Sequence, residues 1–300
     1  MFSHKKLFTG IVALMFAMSL FAGIQNSYAS GSQALVETSW LAKNLDNPKV
    51  KTIFVDNWPS EKPDFMKAHV KGSVYMGIGA LMGALNGGNP DKAKFEGIMS
   101  RLGINNGDHV VLYGAKGGSV FTLGAFWIME YFGHKNLSYL NGALEKWNKE
   151  GLPSESGMKA AAPGHYKAAA PDESVRATAA HVLKSLNDKN TVIVDARGTG
   201  EYTGEVNNDR NKRVGHIPGA RDLDAVATNF NADGTIKSAA ELAKIYNLSD
   251  SNEVITYCQA GIKASNSFFA IKHVLGHKNT KVFVGSWDEW ANRTDNPIEK

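Results

Sequence analysis

Cysteine is almost absent from this chain of 300 residues, in which Cys258 is the only one. A single thiol cannot close a disulfide within the chain, so the fold has no internal covalent cross-link. The formal charge of +4 is small for this length and gives no basis for binding nucleic acid or an anionic membrane surface. Motifs with the spacing of a zinc site or a nucleotide-binding loop are also missing, so we expect neither a metal nor a cofactor.

Long apolar runs are missing too, except at the start of the chain. Residues 7–24 are almost wholly apolar, follow Lys5 and Lys6, and are succeeded by small residues. This is the layout of a secretory signal peptide; an uncleaved membrane anchor is the alternative, because the run is near the lower length for a span. We predict a signal over residues 1–29 and a periplasmic or secreted protein without membrane attachment after cleavage.

The rest of the chain repeats itself. Short motifs recur in both halves, in the same order and at nearly constant spacing. The matching segments are 53–56 with 192–195, 69–73 with 216–220, 110–114 with 254–258, and 142–147 with 285–290. We therefore predict a duplicated domain, with a first repeat at residues 30–152 and a second repeat at residues 175–300. Residues 153–174, which contain proline and an alanine run, are the predicted linker.

Each repeat alternates strand-like and helix-like patterns. In the second repeat, residues 191–194, 253–257 and 280–284 are short apolar runs of buried-strand type, whereas residues 238–246 and 264–275 have helical spacing. Such alternation predicts an α/β fold made of two tandem domains, each a parallel sheet flanked by helices.

Cys258 lies where a predicted strand meets a predicted helix. We call the intervening segment, residues 258–263, the cysteine loop. Ligands bind at the carboxyl edge of parallel sheets, and the amides of such a turn, with a helix N-terminus behind them, form an anion site. We therefore expect a thiol that ionises readily and acts as a nucleophile. The alternative is a buried and inert cysteine.

Two basic residues are expected near this thiol. Lys263 lies in the cysteine loop, and Arg197 follows Asp195 at the end of another strand of the second repeat. If both side chains face Cys258, they favour a small anionic substrate. The alternatives are a solvated lysine and a surface ion pair of little consequence.

These motifs resemble those of the rhodanese family of sulfurtransferases in its tandem two-domain form. The matching segments are residues 195–197, 201–204, 213–220, 258–265 and 285–290. The resemblance extends over nearly all of the chain after the signal and implies two rhodanese-like domains. Gly114 stands where the first repeat would carry its cysteine, so the resemblance implies that the first repeat is catalytically silent.

The resemblance also implies a two-step sulfur transfer. The thiolate of Cys258 attacks the outer sulfur of thiosulfate, sulfite leaves, and the resulting persulfide passes its sulfur to cyanide or to a thiol. Arg197 and Lys263 are expected to hold the sulfonate oxygens of the donor. The loop residues whose amides are expected to hold the thiolate and the persulfide are Gln259, Ala260, Gly261, Ile262 and Lys263.

The choice of donor rests on the cysteine loop and on residue 201. Within the family, basic loop residues are typical of enzymes for thiosulfate, whereas enzymes for 3-mercaptopyruvate tend to have neutral loops and a second arginine. Lys263 is basic, and Glu201 occupies the place of the second arginine, where it would repel the carboxylate of mercaptopyruvate if it faces the site. We predict thiosulfate; the alternatives are a 3-mercaptopyruvate sulfurtransferase and a persulfide carrier with little turnover on small donors. Trp58 and Trp287 are candidates for the pocket wall, with core packing as the alternative.

Overall fold

A computed structural model describes residues 33–56 and 60–300 of the chain. The predicted signal at residues 1–29 and the candidate pocket residue Trp58 lie outside these described residues. Within the described part of the chain, no helix combines the length and the apolar character that crossing a membrane requires.

The first repeat forms a five-stranded parallel sheet covered by helices. Its helices are α1 (Thr38–Asn44), α2 (Lys62–Lys67), α3 (Ile78–Leu85), α4 (Lys92–Arg101), α5 (Val120–Tyr131) and α6 (Ala143–Lys149). The strands up to the linker are β1 (Leu35–Val36), β2 (Val50–Asp56), β3 (His69–Val70), β4 (Val74–Gly77), β5 (His109–Tyr113), β6 (Leu137–Leu140) and β7 (Ser154–Glu155). The sheet has the strand order β1, β6, β5, β2, β4, while β3 and β7 form a separate antiparallel pair.

The second repeat has the same architecture. Its strands are β8 (Arg176–Ala177), β9 (Thr191–Asp195), β10 (Arg221–Asp222), β11 (Glu253–Tyr257) and β12 (Thr280–Phe283). Its helices are α7 (Ala179–Ser185), α8 (Thr199–Thr203), α9 (Ala225–Asn229), α10 (Ala239–Tyr246), α11 (Ala264–Phe269) and α12 (Ser286–Trp290). The parallel strand order β8, β12, β11, β9, β10 reproduces that of the first sheet element by element. The predicted fold class of two tandem parallel-sheet domains is therefore confirmed.

One predicted helix differs from the structure. The pattern at residues 264–275 predicts a single α-helix, but α11 ends at Phe269 and Ala270–Val274 wind as a π-helical turn. Such wider turns inside helices are rare and occur mostly where a helix carries a specific side-chain arrangement. Here the turn carries Lys272 and His273, which both contact the first repeat.

The predicted linker at residues 153–174 packs along the first repeat. Its strand β7 pairs with β3, so that His69 stands opposite Glu155. Further along, Tyr166 is buried, and its hydroxyl lies 3.1 Å from Nδ1 of His134. This segment is therefore an ordered part of the first repeat's surface, while the exact domain boundaries stay a prediction.

Helices of the two repeats share one hydrophobic core. Phe126 on α5 packs edge-to-face against Phe269 on α11, with ring centroids 4.9 Å apart, and Phe269 also contacts Tyr139 at 5.8 Å. The buried cluster runs without interruption from one repeat into the other, whereas the opposite face of each sheet has a smaller core of its own. Apolar burial of this kind is the main stabilising term in folding, so it ties the two repeats into one packed unit.

A partly buried ion cluster crosses the same interface. The carboxylate of Glu130 on α5 lies 2.8 Å from Nζ of Lys272 and 2.8 Å from Nε2 of His273. Burial alone would raise the pKa of Glu130, but the hydrogen bond and charge of His273, together with those of Lys272, outweigh it and lower that pKa. Glu130 therefore stabilises the folded state in its charged form.

We predict that Glu130→Gln lowers the free energy of unfolding at pH 7 by about 3 kcal/mol, because Lys272 then loses its partner in a confined site. The folded-state pKa of Glu130 lies below the unfolded value of about 4.3, so its contribution is present above that pH and is lost as the pH falls through the folded-state pKa. The gap in melting temperature between wild type and variant should therefore shrink on acidification. Circular dichroism measures it, with Glu145→Gln at an exposed site as control. An equal gap at pH 7 and about pH 3 would refute this role.

Candidate active site

The cysteine loop connects the carboxyl end of β11 to α11. The carbonyl of Cys258 accepts a hydrogen bond from the amide of Trp287 at 2.9 Å, and its own amide donates to Oγ of Ser286 at 3.1 Å. Gly261 has a φ of 81°, and a Cβ at this position would lie 2.8 Å from the carbonyl oxygen of Val284. Only glycine fits both conditions, so the loop keeps its shape through its glycine and its bonds to α12.

Amides of the cysteine loop are directed at the sulfur of Cys258, a residue that is only 3% exposed. Burial raises the pKa of this thiol above its ordinary value, and the effect exceeds the lowering by the amides of Ala264, Ala260, Lys263 and Gly261. The expectation of a readily ionised thiol is therefore wrong for the unliganded loop, because the apolar surroundings penalise the thiolate more than the amides stabilise it. The ring of amides suits an anion that forms during reaction.

Lys263 does not present an unpaired charge to the sulfur. Its Nζ lies 2.5 Å from Oδ2 of Asp224, and both side chains are 29% exposed. The other oxygen of Asp224 caps α9 by accepting hydrogen bonds from the amides of Val226 and Ala227. The basic residue of the cysteine loop is thus neutralised by a carboxylate that α9 holds in place.

Arg197 is buried beneath the carboxyl edge of the sheet. Its Nε and Nη2 donate to Asp195, and Nη2 also donates to the carbonyl of Gly215 at 2.7 Å. The guanidinium lies 4.5 Å from the ring centroid of Trp287, and the hydroxyl of Tyr257 donates to Asp195 at 2.6 Å. These bonds give Arg197 a part in fixing the sheet edge. The expectation that it holds the donor's sulfonate stays a prediction.

The side chain of Gln259 is turned away from the sulfur toward α12. Its Nε2 donates to Oδ1 of Asn211 at 2.7 Å and to Oδ1 of Asp288 at 2.5 Å. Asn211 returns a hydrogen bond to Oε1 of Gln259 at 3.2 Å. The network anchors the start of the cysteine loop and brings the Asp288 carboxylate next to it.

Trp287 contacts Arg197, whereas Glu201 acts on it through charge. Burial alone would lower the pKa of Arg197, but the hydrogen bond and charge of Asp195, with smaller contributions from Tyr257 and Glu201, raise it. Glu201 is partly exposed on α8, whereas Trp287 is 1% exposed and belongs to the core of the second repeat. Trp287 therefore packs under the loop, and its backbone rather than its ring meets Cys258.

A cleft of about 420 Å³ opens between the repeats beside the cysteine loop. It reaches the loop at Ala260 and Ile262. The first repeat contributes Met82, Leu85, Gly87 and Gly88 to its lining, and the second adds Arg176, Val284, Asp288 and Glu289 among others. This size suits a small molecule.

Across residues 33–56 and 60–300, no group of three or more His, Cys, Asp or Glu side chains is placed to hold a metal ion.

The corresponding loop of the first repeat, residues 114–119, is tightly packed at Gly114 and Gly117. A Cβ on Gly114 would lie 2.8 Å from Oγ1 of Thr122 and 3.0 Å from Cβ of Ser119. Gly117 packs directly against the backbone of Gly234, which belongs to the second repeat. The first repeat therefore lacks the thiol, and its loop is packed against the second repeat at Gly117.

Sequence reasoning missed Ser286 and Asp224. Ser286 has a φ of 50°, and Ala143 at the equivalent place in the first repeat has a φ of 55°. Such left-handed residues other than glycine are uncommon and often mark functional sites, but neither serine nor alanine reveals this conformation in a sequence. Asp224 has no counterpart among the repeated motifs, so its contact with Lys263 becomes visible only in three dimensions.

Comparison with known proteins identifies relatives over both repeats. The family model named Rhodanese-like domain matches residues 37–150 and 178–293. The chain is 33% identical over 282 residues to the sulfur carrier protein TtuD of Thermus thermophilus, covering 89% of this chain and 97% of that protein. It is 33% identical over 275 residues to a Mycobacterium tuberculosis protein named provisionally as a thiosulfate sulfurtransferase, covering 88% of this chain and 97% of that protein. The Tum1 protein of Saccharomyces cerevisiae shares the fold, with a TM-score of 0.75 at 22% identity over 87% of this chain and 95% of that chain.

We predict that Gly114→Cys, made in a Cys258→Ser background, does not create a second reactive thiol. The new Cβ must displace Thr122 and Ser119, so the free energy of unfolding should fall by about 1–3 kcal/mol, and the thiol should react more slowly with iodoacetamide than Cys258 does in the wild type. Mass spectrometry after timed alkylation and thermal unfolding check both points. Gly114→Ala in the same background is the control and should lose similar stability. Alkylation as fast as that of Cys258 would contradict the close packing around Gly114.

Proposed function

Since the chain belongs to the rhodanese family of sulfurtransferases, we propose that it moves sulfane sulfur from thiosulfate to cyanide or to a thiol through a persulfide on Cys258. The observation that carries the proposal is the lone thiol under the converging amides of Ala260, Gly261, Lys263 and Ala264, beside an open cleft. A buried nucleophile in such a ring suits a reaction that places negative charge on sulfur.

The chemistry follows from this geometry. The Cys258 thiolate attacks the outer sulfur of thiosulfate, the sulfur–sulfur bond of the donor breaks, and sulfite leaves with the electron pair. The persulfide that remains carries its charge within reach of the loop amides. An acceptor thiolate or cyanide then takes the outer sulfur, and the thiolate of Cys258 is restored. Because the pKa of the free thiol is raised by burial, the first step requires loss of the thiol proton within a poorly solvated site.

Thiosulfate is the favoured donor because Lys263 is the basic residue of the cysteine loop and Glu201 adds a negative charge that acts on Arg197. A carboxylate at this position opposes the second negative group of 3-mercaptopyruvate. The 3-mercaptopyruvate sulfurtransferase activity is the alternative within the same class.

A persulfide carrier is the second candidate function. The cations nearest the sulfur are engaged, Lys263 by Asp224 and Arg197 by Asp195, which weakens the attraction for a small dianion. The relative in Thermus thermophilus is named a sulfur carrier protein. A carrier would accept one sulfur and release it to a partner, with little turnover on thiosulfate and cyanide.

For either function, we propose that the signal-like residues 1–29 direct the protein out of the cytoplasm. Subcellular fractionation should then find it in the periplasm or outside the cell.

The deciding experiment is mass spectrometry of the purified protein before and after thiosulfate, alongside Cys258→Ser. We expect the wild type to gain one sulfur atom on Cys258, cyanide to remove it, and thiocyanate to accumulate over many turnovers. The Cys258→Ser protein should gain no sulfur and should form no thiocyanate. A single discharge that then stops would favour the carrier, and 3-mercaptopyruvate succeeding where thiosulfate fails would change the donor. No added sulfur from any donor would overturn the proposal.

We predict that Asp224→Asn raises kcat/KM for thiosulfate by about threefold to tenfold, because Lys263 then keeps its charge without a carboxylate at 2.5 Å. Asparagine is itself a good N-cap, so α9 should remain capped. Steady-state thiocyanate formation measures the effect. Asp250→Asn, in an exposed turn before β11 at the opposite end of the strand, is the matched control. An unchanged or lower kcat/KM in Asp224→Asn would show that Lys263 takes no part in donor binding.

A further inference from the structure

The cleft beside the cysteine loop carries carboxylates on one wall. Asp288 and Glu289 both line it, next to the loop residues Ala260 and Ile262. Oδ1 of Asp288 accepts a hydrogen bond from Gln259, which fixes this carboxylate at the edge of the loop. The two acidic residues of the wall therefore stand close to the cysteine loop.

The carboxylate of Glu289 stands on the same wall. One of its oxygens stands so close to Gly285 that a Cβ on that residue would overlap it. Gly285 thus leaves the space in which this carboxylate sits beside the cleft. Both carboxylates have arginine partners: Arg210 lies 3.1 Å from Asp288, and Arg293 lies 3.2 Å from Glu289. Neither arginine is among the described residues that line the cleft.

The cation in the lining is committed to the protein. Nη2 of Arg176 donates to the carbonyl of Gly88 at 3.0 Å, and Nη1 donates to the hydroxyl of Tyr131 and to the carboxylate of Glu173. Its charge is thus shared with Glu173 and directed into the wall between the repeats. Apolar side chains occupy the remaining surface near the loop; these are Met82, Leu85, Ile262 and Val284.

We infer that this cleft selects the sulfur acceptor by charge, and that Asp288 and Glu289 favour a small thiol carrying a protonated amine over neutral or anionic thiols. Opposite charges attract most where solvent is partly excluded, and a cleft lined by one sign of charge raises the local concentration of the complementary ligand. The apolar floor suits the short carbon chain of such an aminothiol. This inference rests on the proposed persulfide chemistry for its second step, but the charge of the cleft is measurable without it.

The transfer balances without an added oxidant or reductant. The acceptor enters as its thiolate after losing its proton to solvent, and its sulfur attacks the outer sulfur of the Cys258 persulfide. The bond between the two persulfide sulfurs breaks, and its electron pair returns to Sγ of Cys258. During the transfer, the ammonium group of the acceptor lies near Asp288 and Glu289. The acceptor then leaves as a persulfide.

The first test measures the charge of the cleft from the reaction rates of Cys258. The reagents are methanethiosulfonates that carry an ammonium, a neutral or a sulfonate group. Each reagent forms a disulfide with Cys258 and releases methanesulfinate, so mass spectrometry gives the rates. Each rate with Cys258 is divided by the rate of the same reagent with a free thiol in solution. By this measure, the ammonium reagent should react at least about tenfold faster than the sulfonate reagent at low salt. Molar salt should reduce this ratio.

Matched variants assign the effect to the wall. Asp288→Asn and Glu289→Gln should each lower the ammonium-to-sulfonate ratio, and the double variant should bring it close to unity. Asp250→Asn removes a charge at an exposed site at the far end of β11 and should leave the ratio unchanged. A wild-type ratio near or below unity, or a ratio that the double variant does not change, would overturn the inference.

The second test uses the persulfide. The protein is loaded with thiosulfate or, if thiosulfate fails, with inorganic tetrasulfide, and is then discharged by cysteamine, 2-mercaptoethanol or 3-mercaptopropionate. After correction for the thiolate fraction of each acceptor, cysteamine should discharge fastest, and the double variant should abolish the ranking. Equal discharge by the three thiols would overturn the acceptor selection. Failure of both donors to load Cys258 would contradict the proposed function and, with it, this second step; the reagent ratios would still report the charge of the cleft.

Discussion

The constraint on which the site depends is the desolvation of one sulfur atom. Cys258 is buried, and burial penalises its thiolate more than the surrounding amides stabilise it. Burial and the amides therefore act in opposite directions on negative charge at this sulfur, and burial has the larger effect on the free thiol. Gly261 with its positive φ, and the hydrogen bonds of Cys258 with Ser286 and Trp287, hold the loop in the shape that aims these amides at the sulfur. Such preorganisation avoids reorganising the site when the charge develops.

The duplication explains how the first repeat supports the second. Both repeats keep the same strand order, but their loops face different surroundings. The loop at residues 114–119 is covered by Gly234, whereas the cysteine loop opens into the cleft. At the same interface, Gly124 on α5 lies so close to Ile262 that a Cβ would approach its Cγ2 to 2.9 Å. The first repeat thus supplies one wall of the cleft and packs directly against the cysteine loop.

The fold and the candidate nucleophile can both be predicted from the sequence, because both depend on local patterns. The run at residues 253–257 coincides with β11, and the repeat of short motifs anticipates the repeat of the sheet. What the sequence cannot predict is how charges pair across elements that are distant along the chain. Lys263 looks like a free cation until α9 brings Asp224 beside it, and Arg197 looks like an unpaired group until it is found to donate to Asp195 and Gly215. The π-helical turn after α11 is equally invisible, because its residues have ordinary helical spacing.

These pairings decide how charge is distributed around the sulfur. A cation held at 2.5 Å from a carboxylate has little field left for a ligand, especially where both groups are partly solvated. The carboxylates of Asp288 and Glu289 also have arginine partners, but those arginines are not among the described residues that line the cleft, whereas Asp288 and Glu289 are. Position thus matters more than the number of charges: a nearly balanced set of ion pairs still gives the cleft a sign when one member of each pair lines it. Under the proposed function, the amides close to the sulfur receive the anionic sulfur, and the proposed selection of the acceptor takes place at the wall further out.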